Sequence, residues 1–289
     1  RNENLLNHEP FLVLSDYLTR NGIVVLRYDD RGVGESKGDF NASTSIDFAS
    51  DASAAVNYLV SRTDIPIRNI GIAGHSEGGL IAPITASENN EVDFIVLMAG
   101  PGIPGDSILL LQGDLIAKAS GMSEESVKAL HELRKNIMQV AKDEIDNDVM
   151  RNNMITLNKN FIANTPKHIL DELEMTEDDV EEGLDIYTGE WMQFFLAYNP
   201  RPTLEHTTIP VLAINGTTDL QVPYKENLEA IEKALIKAGN KNYQITALNN
   251  LNHLFQYSVT GSPMEYGTIE ETFNEKSMNI ISNWISAQK

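Results

Sequence analysis

The sequence predicts an α/β fold with a mainly parallel sheet and one helical insert. Short apolar runs alternate with segments of helical periodicity, several runs are apolar at every position, and one long stretch has no strand pattern. The predicted strands are residues 23–28, a short strand from residue 71, and residues 92–98, 209–216 and 243–248. The predicted helices are residues 10–20, 46–62, 78–88, 224–238 and 270–287.

Local signals bound the first two helices. Pro10 stands in the first turn, where the missing N–H of proline removes no hydrogen bond, and Asn21-Gly22 end that helix. Thr44 and Asp47 have the spacing of a capping box, which predicts that the second helix begins between them. Both helices therefore have signals that do not depend on the rest of the fold.

The stretch from 106 to 199 interrupts the alternation of strands and helices. Its apolar residues recur at helical spacing, and its acidic run at 171–182 is interpreted as a solvated helix face rather than a cation site. We therefore divide the chain into a core, formed by residues 1–105 and 200–289, and a helical cap, or lid, formed by residues 106–199.

A nucleophile elbow is predicted at Gly74-His75-Ser76-Glu77-Gly78, between a short strand and a helix. We expect Gly74 and Gly78 to lack a Cβ because strand and helix pass closely there. Ser76 is the predicted nucleophile, and the backbone N–H of Glu77 is the predicted oxyanion donor. Substrate recognition by the Glu77 side chain is a minor alternative.

A second match to the same motif lies at Gly34-Glu35-Ser36-Lys37-Gly38, but its flanking residues do not form a strand and a helix. We therefore interpret Ser36 as a loop residue. The preceding Asp29-Asp30-Arg31 is interpreted as part of a structural loop, with a polar network that supports the site as the alternative.

A serine nucleophile needs a base and an acid that orients the base. In one large class of serine hydrolases with such an elbow, the order along the chain is serine, acid, histidine. Asp219 follows the strand that ends at Ile214, and His253, the only later histidine, follows the strand that ends at Leu248. Both are expected at the same sheet edge as Ser76. A helix-cap aspartate and a surface histidine are the alternatives.

Five further side chains are candidates for contact with substrate. His75 precedes the nucleophile, although packing or a structural hydrogen bond is the favoured interpretation. An aromatic cluster near the end of the cap is expected either to line an apolar acyl pocket or, by slight preference, to pack the cap. This cluster consists of Trp191, Phe194, Phe195 and Tyr198.

Composition excludes several classes of function. The 289 residues include 22 Lys and Arg against 42 Asp and Glu, so the net charge is −20, which argues against nucleic-acid binding and anionic membrane surfaces. The absence of cysteine excludes disulfides and thiol nucleophiles. No apolar run is long enough for a membrane span. No metal or organic cofactor is predicted, and the composition favours no compartment or oligomeric state.

The chain resembles the α/β-hydrolase superfamily, and within it bacterial capped acyl esterases grouped with serine aminopeptidase and prolyl-oligopeptidase relatives. The segments that carry the resemblance are 27–36, 74–79, 215–223 and 251–253. The resemblance implies hydrolysis of a small acyl ester, whereas the residue pattern alone predicts only a serine hydrolase. A serine peptidase or aminopeptidase and a non-catalytic binding protein remain alternatives.

One departure from that family concerns the start of the sequence. Family members have further N-terminal strands, and the loop after one of them donates the second oxyanion N–H. By this resemblance, such a strand would pair between residues 23–28 and the elbow strand. We expect this strand to be missing from the sequence, which would leave backbone groups unpaired and lower the rate by ~10²–10³ through loss of one donor. The two alternatives are that upstream sequence exists in the natural protein or that another chain repairs the sheet.

Overall fold

A computed structural model describes residues 1–288. Within this range, four strands form one parallel sheet in the order β1-β2-β3-β4. The strands are β1 (Gly71–His75), β2 (Phe94–Met98), β3 (Val211–Gly216) and β4 (Tyr243–Leu248). The predicted α/β fold with a mainly parallel sheet is therefore confirmed.

The α-helices lie before, between and after these strands. In chain order they are α1 (Pro10–Arg20), α2 (Ser45–Ser61), α3 (Gly78–Glu88), α4 (Gly105–Ala119), α5 (Glu124–Asp143), α6 (Asn147–Asn164), α7 (Lys167–Glu172), α8 (Glu190–Ala197), α9 (Arg201–Leu204), α10 (Tyr224–Lys237) and α11 (Glu275–Ala287). Short 3₁₀ turns occupy residues 177–179, 184–188 and 263–268. No helix in the described part of the chain is long and apolar enough to cross a membrane.

The predicted helix signals operate as expected. The Asp47 carboxylate accepts hydrogen bonds from the Thr44 backbone N–H at 2.9 Å and from its hydroxyl at 3.0 Å, which fixes the start of α2. The closing helix is shorter than predicted. It begins at Glu275 rather than at residue 270, because the Asn274 side chain accepts the N–H of Lys276 and caps the helix there.

The predicted strand at residues 23–28 is wrong. Within residues 1–288 this stretch forms no ladder of strand hydrogen bonds, and its apolar side chains Val24 and Leu26 are 57% and 38% exposed. Strand β1 pairs with β2 on one side only, and a cavity lies between its other side and this stretch. Without a neighbour in pairing distance, an apolar run cannot satisfy its backbone groups in a sheet.

Strands β2 and β3 are buried on both faces, so consecutive residues contribute to different clusters. Val96 and Leu212 pack towards α1 and α11. Ile95 and Val211 pack on the opposite face, against α2 and α10. The sheet is therefore held between two helical layers, and its carboxyl edge remains available for loops.

The loop after residue 28 is tied to α2 by Arg31. Its guanidinium donates to both Asp51 carboxylate oxygens, at 2.7 and 2.8 Å, and to Asp47 Oδ1 at 3.1 Å. Ser36 lies in the same loop and donates to the Asp29 carbonyl at 2.7 Å. The structure therefore agrees with the interpretation of this segment as a structural loop and of Ser36 as a loop residue.

We refer to residues 105–197, which run from α4 to α8, as the helical insert. The insert contains no strand and encloses an apolar cluster of its own. This cluster includes Leu133, Ile137, Met150, Met154 and Leu196. The helices fall close to the predicted bounds of 106 and 199, whereas the division into a core and a separate cap domain stays a prediction.

Candidate active site

Ser76 occupies the strained turn between β1 and α3. Its φ is 53°, in the left-handed region that residues with a Cβ rarely adopt. A Cβ on Gly74 would lie 1.9 Å from the Gly78 carbonyl oxygen, and a Cβ on Gly79 would lie 2.4 Å from Gly100 Cα. The expectation for Gly78 is wrong, because a Cβ there would meet nothing within 4 Å. The close contacts require Gly74 and Gly79.

Backbone hydrogen bonds fix the elbow. The Ser76 N–H donates to the Met98 carbonyl of β2 at 2.9 Å, and the Ser76 carbonyl accepts from the Gly79 N–H at 2.8 Å. Glu77 precedes α3 as its N-cap. The Glu77 N–H makes no hydrogen bond to another of residues 1–288. This unpaired donor beside Ser76, at the positive end of a helix, suits an oxyanion.

Asp219 and His253 meet at the carboxyl edge of the sheet, as their positions after β3 and β4 predict. Asp219 Oδ2 and His253 Nδ1 are 2.8 Å apart, and the two residues are only 3% and 5% exposed. The other carboxylate oxygen, Oδ1, accepts the backbone N–H groups of Gln221 at 2.8 Å and Val222 at 2.9 Å. With both oxygens used, the carboxylate fixes the imidazole so that Nδ1 carries the proton.

The His253 loop is held by buried polar contacts. The Asn252 carboxamide oxygen accepts the N–H groups of Leu254 and Gln256, each at 3.0 Å, within a fully buried environment. A Cβ on Gly216 would lie 2.0 Å from the Leu251 carbonyl oxygen, so the end of β3 lies directly against this loop. The loops that follow β3 and β4 therefore form one packed unit.

His75 lies against His253 rather than in open solvent. The two ring centroids are 4.7 Å apart, and His75 Nε2 lies 2.8 Å from the His253 carbonyl oxygen, so this nitrogen donates. Burial, and secondarily the charge of His253, lowers the pKa of His75 to about 3. The 3.8 Å contact between His75 Nδ1 and Glu3 Oε2 is therefore not an ion pair at neutral pH. This geometry agrees with a structural hydrogen bond.

Ser76 and His253 are not joined by a hydrogen bond within residues 1–288. Ser76 faces a cavity of about 1790 Å³ that extends along the unpaired edge of β1, and His253 does not line this cavity. Such serine–histidine contacts are often long in unliganded enzymes and tighten when substrate binds. The structure thus brings Asp219 and His253 together and leaves the contact with the nucleophile open.

One of the four predicted pocket aromatics reaches the cavity. Trp191, on α8, lines it together with Ser76 and Glu77. Phe195 is buried beneath Trp191, with ring centroids 5.2 Å apart and planes 12° apart. Phe194 stacks on Tyr198, and neither lines the cavity. Contact of Phe194, Phe195 and Tyr198 with substrate stays a prediction.

Five carboxyl residues, including Glu9 and Asp29, line the cavity that contains Ser76, and so do Arg1, Arg27 and Arg68. In three of the five, Glu3, Asp30 and Glu77, burial raises the pKa. Hydrogen bonds from Ser45 and Trp191 oppose this rise for Glu77. In the lining of this cavity, carboxyl groups therefore outnumber arginine side chains by five to three.

Two residues near the site were missed by sequence reasoning. Glu3 lies beside His75 with its Oε2 buried and unpaired within residues 1–288, and no motif surrounds it. Ser45 is fully buried and donates to Glu77 Oε1 at 2.6 Å. Its place directly after the predicted cap Thr44 was visible in the sequence, but its partner 32 residues later was not.

No group of His, Asp or Glu side chains within the described residues is arranged to hold a metal ion. The candidate functional groups of the site are the hydroxyl of Ser76, the imidazole of His253, the Asp219 carboxylate and the N–H of Glu77. Together they can supply a nucleophile, a base, an orienting acid and an oxyanion donor.

The chain is similar to several known esterases. Esterase EstD of Thermotoga maritima is 26% identical over 253 residues, which cover 86% of this chain and 50% of EstD, so the chain spans half the length of that relative. Est1E of Butyrivibrio proteoclasticus, solved with bound ferulic acid, has a TM-score of 0.54 at 16% identity, covering 97% of this chain and 83% of Est1E.

An esterase of Exiguobacterium antarcticum has a TM-score of 0.51 at 14% identity, covering 97% of this chain and 88% of the esterase. At these identities the solved structures show the fold alone. The family model described as "Serine aminopeptidase, S33" matches residues 10–183, which are more than half of the chain. The chain therefore belongs to the serine aminopeptidase S33 family of α/β-hydrolases.

Proposed function

We propose that the protein hydrolyses carboxylic esters through an acyl-enzyme formed on Ser76. The observation that carries the proposal is the buried 2.8 Å contact between Asp219 and His253, at the same sheet edge as a serine held at a φ of 53°. A strained serine that lines a cavity and an oriented imidazole are the two components that acyl transfer requires.

In the first half of the reaction, His253 Nε2 accepts the proton from Ser76 Oγ as this oxygen attacks the ester carbonyl. The carbonyl π electrons move to oxygen, and the Glu77 N–H donates to that oxyanion. Collapse of the tetrahedral intermediate breaks the bond to the alkoxy group, which takes the proton from His253. Asp219 holds the imidazole and stabilises its charged form.

In the second half, water replaces the alcohol. His253 removes a proton from the water as it attacks the acyl-enzyme, and the proton then passes to Ser76 Oγ when the acid leaves. These steps use the side chains of Ser76, His253 and Asp219 and the backbone N–H of Glu77. The names of EstD and of the structural relatives support an ester as the substrate.

The helical insert is proposed to serve as a cap over the site. Its residue Trp191 lines the same cavity as Ser76, which supports this role. Because carboxyl groups outnumber arginine side chains by five to three in that cavity, the proposed substrate is an ester with a neutral or cationic acyl group.

Amide or peptide hydrolysis is the second candidate, because the family model carries the name of an aminopeptidase. Ester and amide substrates share the nucleophile, the base and the oxyanion donor. They differ in the leaving group, since an amine must be protonated to leave while an activated alkoxide need not be.

The first experiment is intact-mass analysis after treatment with a fluorophosphonate, with Ser76→Ala as the matched control. A single adduct that the variant lacks would support an activated Ser76. Folded protein without an adduct would contradict the proposal and favour a non-catalytic binding protein.

The second experiment compares a p-nitrophenyl ester and a p-nitroanilide that carry the same acyl group. Turnover of the ester with little turnover of the anilide is expected. A preference for the anilide would replace the esterase assignment by a peptidase. Comparison of a neutral and a succinyl ester then tests the charge preference, with the neutral ester expected to react faster.

A further inference from the structure

The side chain of Glu77 joins three separate parts of the molecule. Its Oε1 accepts a hydrogen bond from Ser45 Oγ at 2.6 Å and another from Trp191 Nε1 at 2.7 Å. Ser45 is the first residue of α2, Glu77 directly follows Ser76, and Trp191 belongs to α8 in the helical insert. One carboxyl oxygen therefore links the elbow, a core helix and the insert.

Trp191 is held from two directions. Its ring stacks on Phe195, and both belong to an apolar cluster with Leu80 and Ile84 of α3. The indole N–H is the only polar group of the side chain, and a buried one needs an acceptor. Glu77 supplies it, so the position of Trp191 over α3 depends on packing and on this hydrogen bond together.

A carboxyl group is a costly choice for packing alone. Burying it without hydrogen bonds is unfavourable, and an apolar side chain would fill the same space. Within residues 1–288 no Lys or Arg forms an ion pair with Glu77. The hydrogen bonds from the Ser45 hydroxyl and the Trp191 indole therefore offset the cost of burying its carboxyl group. These two hydrogen bonds therefore form a specific polar contact within the otherwise apolar packing of α3 against α8.

The hydrogen bonds to the carboxyl group of Glu77 also restrain the backbone of Glu77, which carries the unpaired N–H. Glu77 is the N-cap of α3, with φ −53° and ψ −33°, and its side chain is tethered at the far end by both donors. Fixing both ends of a residue limits rotation of its peptide plane. An oxyanion donor must be aimed before the reaction to be effective.

We propose that Glu77 is a positioning residue whose carboxyl latches the helical insert, through Trp191, to the nucleophile elbow and thereby holds the Glu77 N–H in line for the oxyanion. We call the contact of Glu77 with Ser45 and Trp191 the latch. The catalytic part of this inference rests on the proposed function, whereas the latch itself does not.

The latch is tested first by a measurement that needs no catalysis. The chain has two tryptophans, so Trp284→Phe leaves Trp191 as the single tryptophan. In this background, Glu77→Ala is expected to raise acrylamide quenching of Trp191 at least twofold. Glu77→Gln keeps a carbonyl oxygen as acceptor and should stay close to the parent. Unchanged quenching in Glu77→Ala would overturn the latch.

The catalytic part is tested by the rate at which the fluorophosphonate labels Ser76. Removal of one hydrogen bond to a carboxyl group lowers an equilibrium constant or rate constant that depends on it by roughly tenfold. We therefore expect Trp191→Phe and Glu77→Ala each to slow labelling about tenfold. For ester turnover, kcat should fall more than KM rises, because the oxyanion donor acts in the transition state.

A double-mutant cycle separates the hydrogen bond from the loss of indole volume. If the latch operates, Trp191→Phe has little further effect in the Glu77→Ala background. Effects that multiply would instead indicate independent packing roles and would overturn the inference. Trp284→Phe is the matched control, because it makes the same substitution in α11, against Phe94, and should leave labelling unchanged.

Failure of the latch and failure of the proposed function give different results. A parent protein that is not labelled refutes the function and the oxyanion role, while the quenching measurement still decides whether the latch exists. If Glu77→Ala does not fold, Ser45→Ala and Trp191→Phe carry the test. Labelling of both at the parent rate would overturn the proposal.

Discussion

Replacing Asp219 by asparagine separates the two tasks that this carboxylate performs. Oδ2 accepts the Nδ1 proton of His253 at 2.8 Å, while Oδ1 accepts the backbone N–H groups of Gln221 and Val222 at 2.8 and 2.9 Å. An asparagine in the same position keeps one carbonyl oxygen for the backbone groups but presents an NH₂ group to the imidazole. The loop keeps its anchor, and the histidine loses its acceptor.

The two tasks have very different magnitudes. With Gln221 and Val222 still paired, Asp219→Asn should change the free energy of unfolding little, whereas Asp219→Ala leaves two N–H groups without acceptors, at about 1–3 kcal/mol each where they are buried. To accept from the asparagine amide, the imidazole must place its proton on Nε2, which then cannot take the proton from Ser76. In a serine protease of another fold the same change lowers kcat ~10⁴-fold, and we expect a similar loss.

The assay measures kcat for a short-chain p-nitrophenyl ester together with urea unfolding of parent, Asp219→Asn and Asp219→Ala. The expected pattern is a loss of activity in both variants and a loss of stability in Asp219→Ala alone. If Asp219→Asn kept more than a tenth of the parent activity, Asp219 would not be the residue that orients His253, and the triad would have to be reassigned.

Three further perturbations test the site and its support. Gly74→Ala should abolish fluorophosphonate labelling and lower the unfolding midpoint, because the new Cβ would lie 1.9 Å from the Gly78 carbonyl oxygen. Gly78→Ala is the control and should be as stable as the parent, because a Cβ at residue 78 has free space around it. Equal unfolding midpoints for the two variants would contradict the close contact at Gly74. Burial raises the pKa of Glu77, so the contribution of this carboxyl to stability is complete below its unfolded pKa of about 4.3 and is lost as pH rises through its pKa in the folded protein. The free energy of unfolding of the parent, relative to that of Glu77→Gln, should therefore fall above pH 4. A difference in unfolding free energy that does not change with pH would refute this prediction. Arg31→Lys should lower the free energy of unfolding by about 1–3 kcal/mol because an ammonium cannot replace the two-pronged contact with Asp51, and unchanged urea unfolding would show that the contact is dispensable.

The position of the site could be derived from the sequence because the sheet is parallel. Each strand of such a sheet delivers its following loop to the same edge, so chain order alone places Asp219 and His253 beside the elbow. The signals used were local: a strand, its last apolar residue, and a polar residue soon after it. The topology of a parallel sheet then predicts that Asp219 and His253 lie close together, and in the structure these two side chains are 2.8 Å apart.

Features that depend on a distant partner could not be derived in this way. Residues 23–28 have the composition of a buried strand, but a strand exists only when a neighbour accepts its hydrogen bonds. Gly78 belongs to the motif, yet the close contacts are made by Gly74 and Gly79, because the path of the backbone decides which Cβ would collide. The pairing of Ser45 with Glu77 likewise depends on how α2 packs beside α3.

The two neighbouring histidines show how one environment assigns different roles to the same residue type. His253 has a carboxylate at 2.8 Å on Nδ1, so the protein provides a counter-charge for its imidazolium form. Burial lowers the pKa of His75 to about 3, which keeps this ring neutral. Since the ring centroids are 4.7 Å apart, two charged rings would repel strongly. A neutral His75 that donates to the His253 carbonyl therefore supports the His253 loop without opposing the positive charge that the proposed mechanism places on His253.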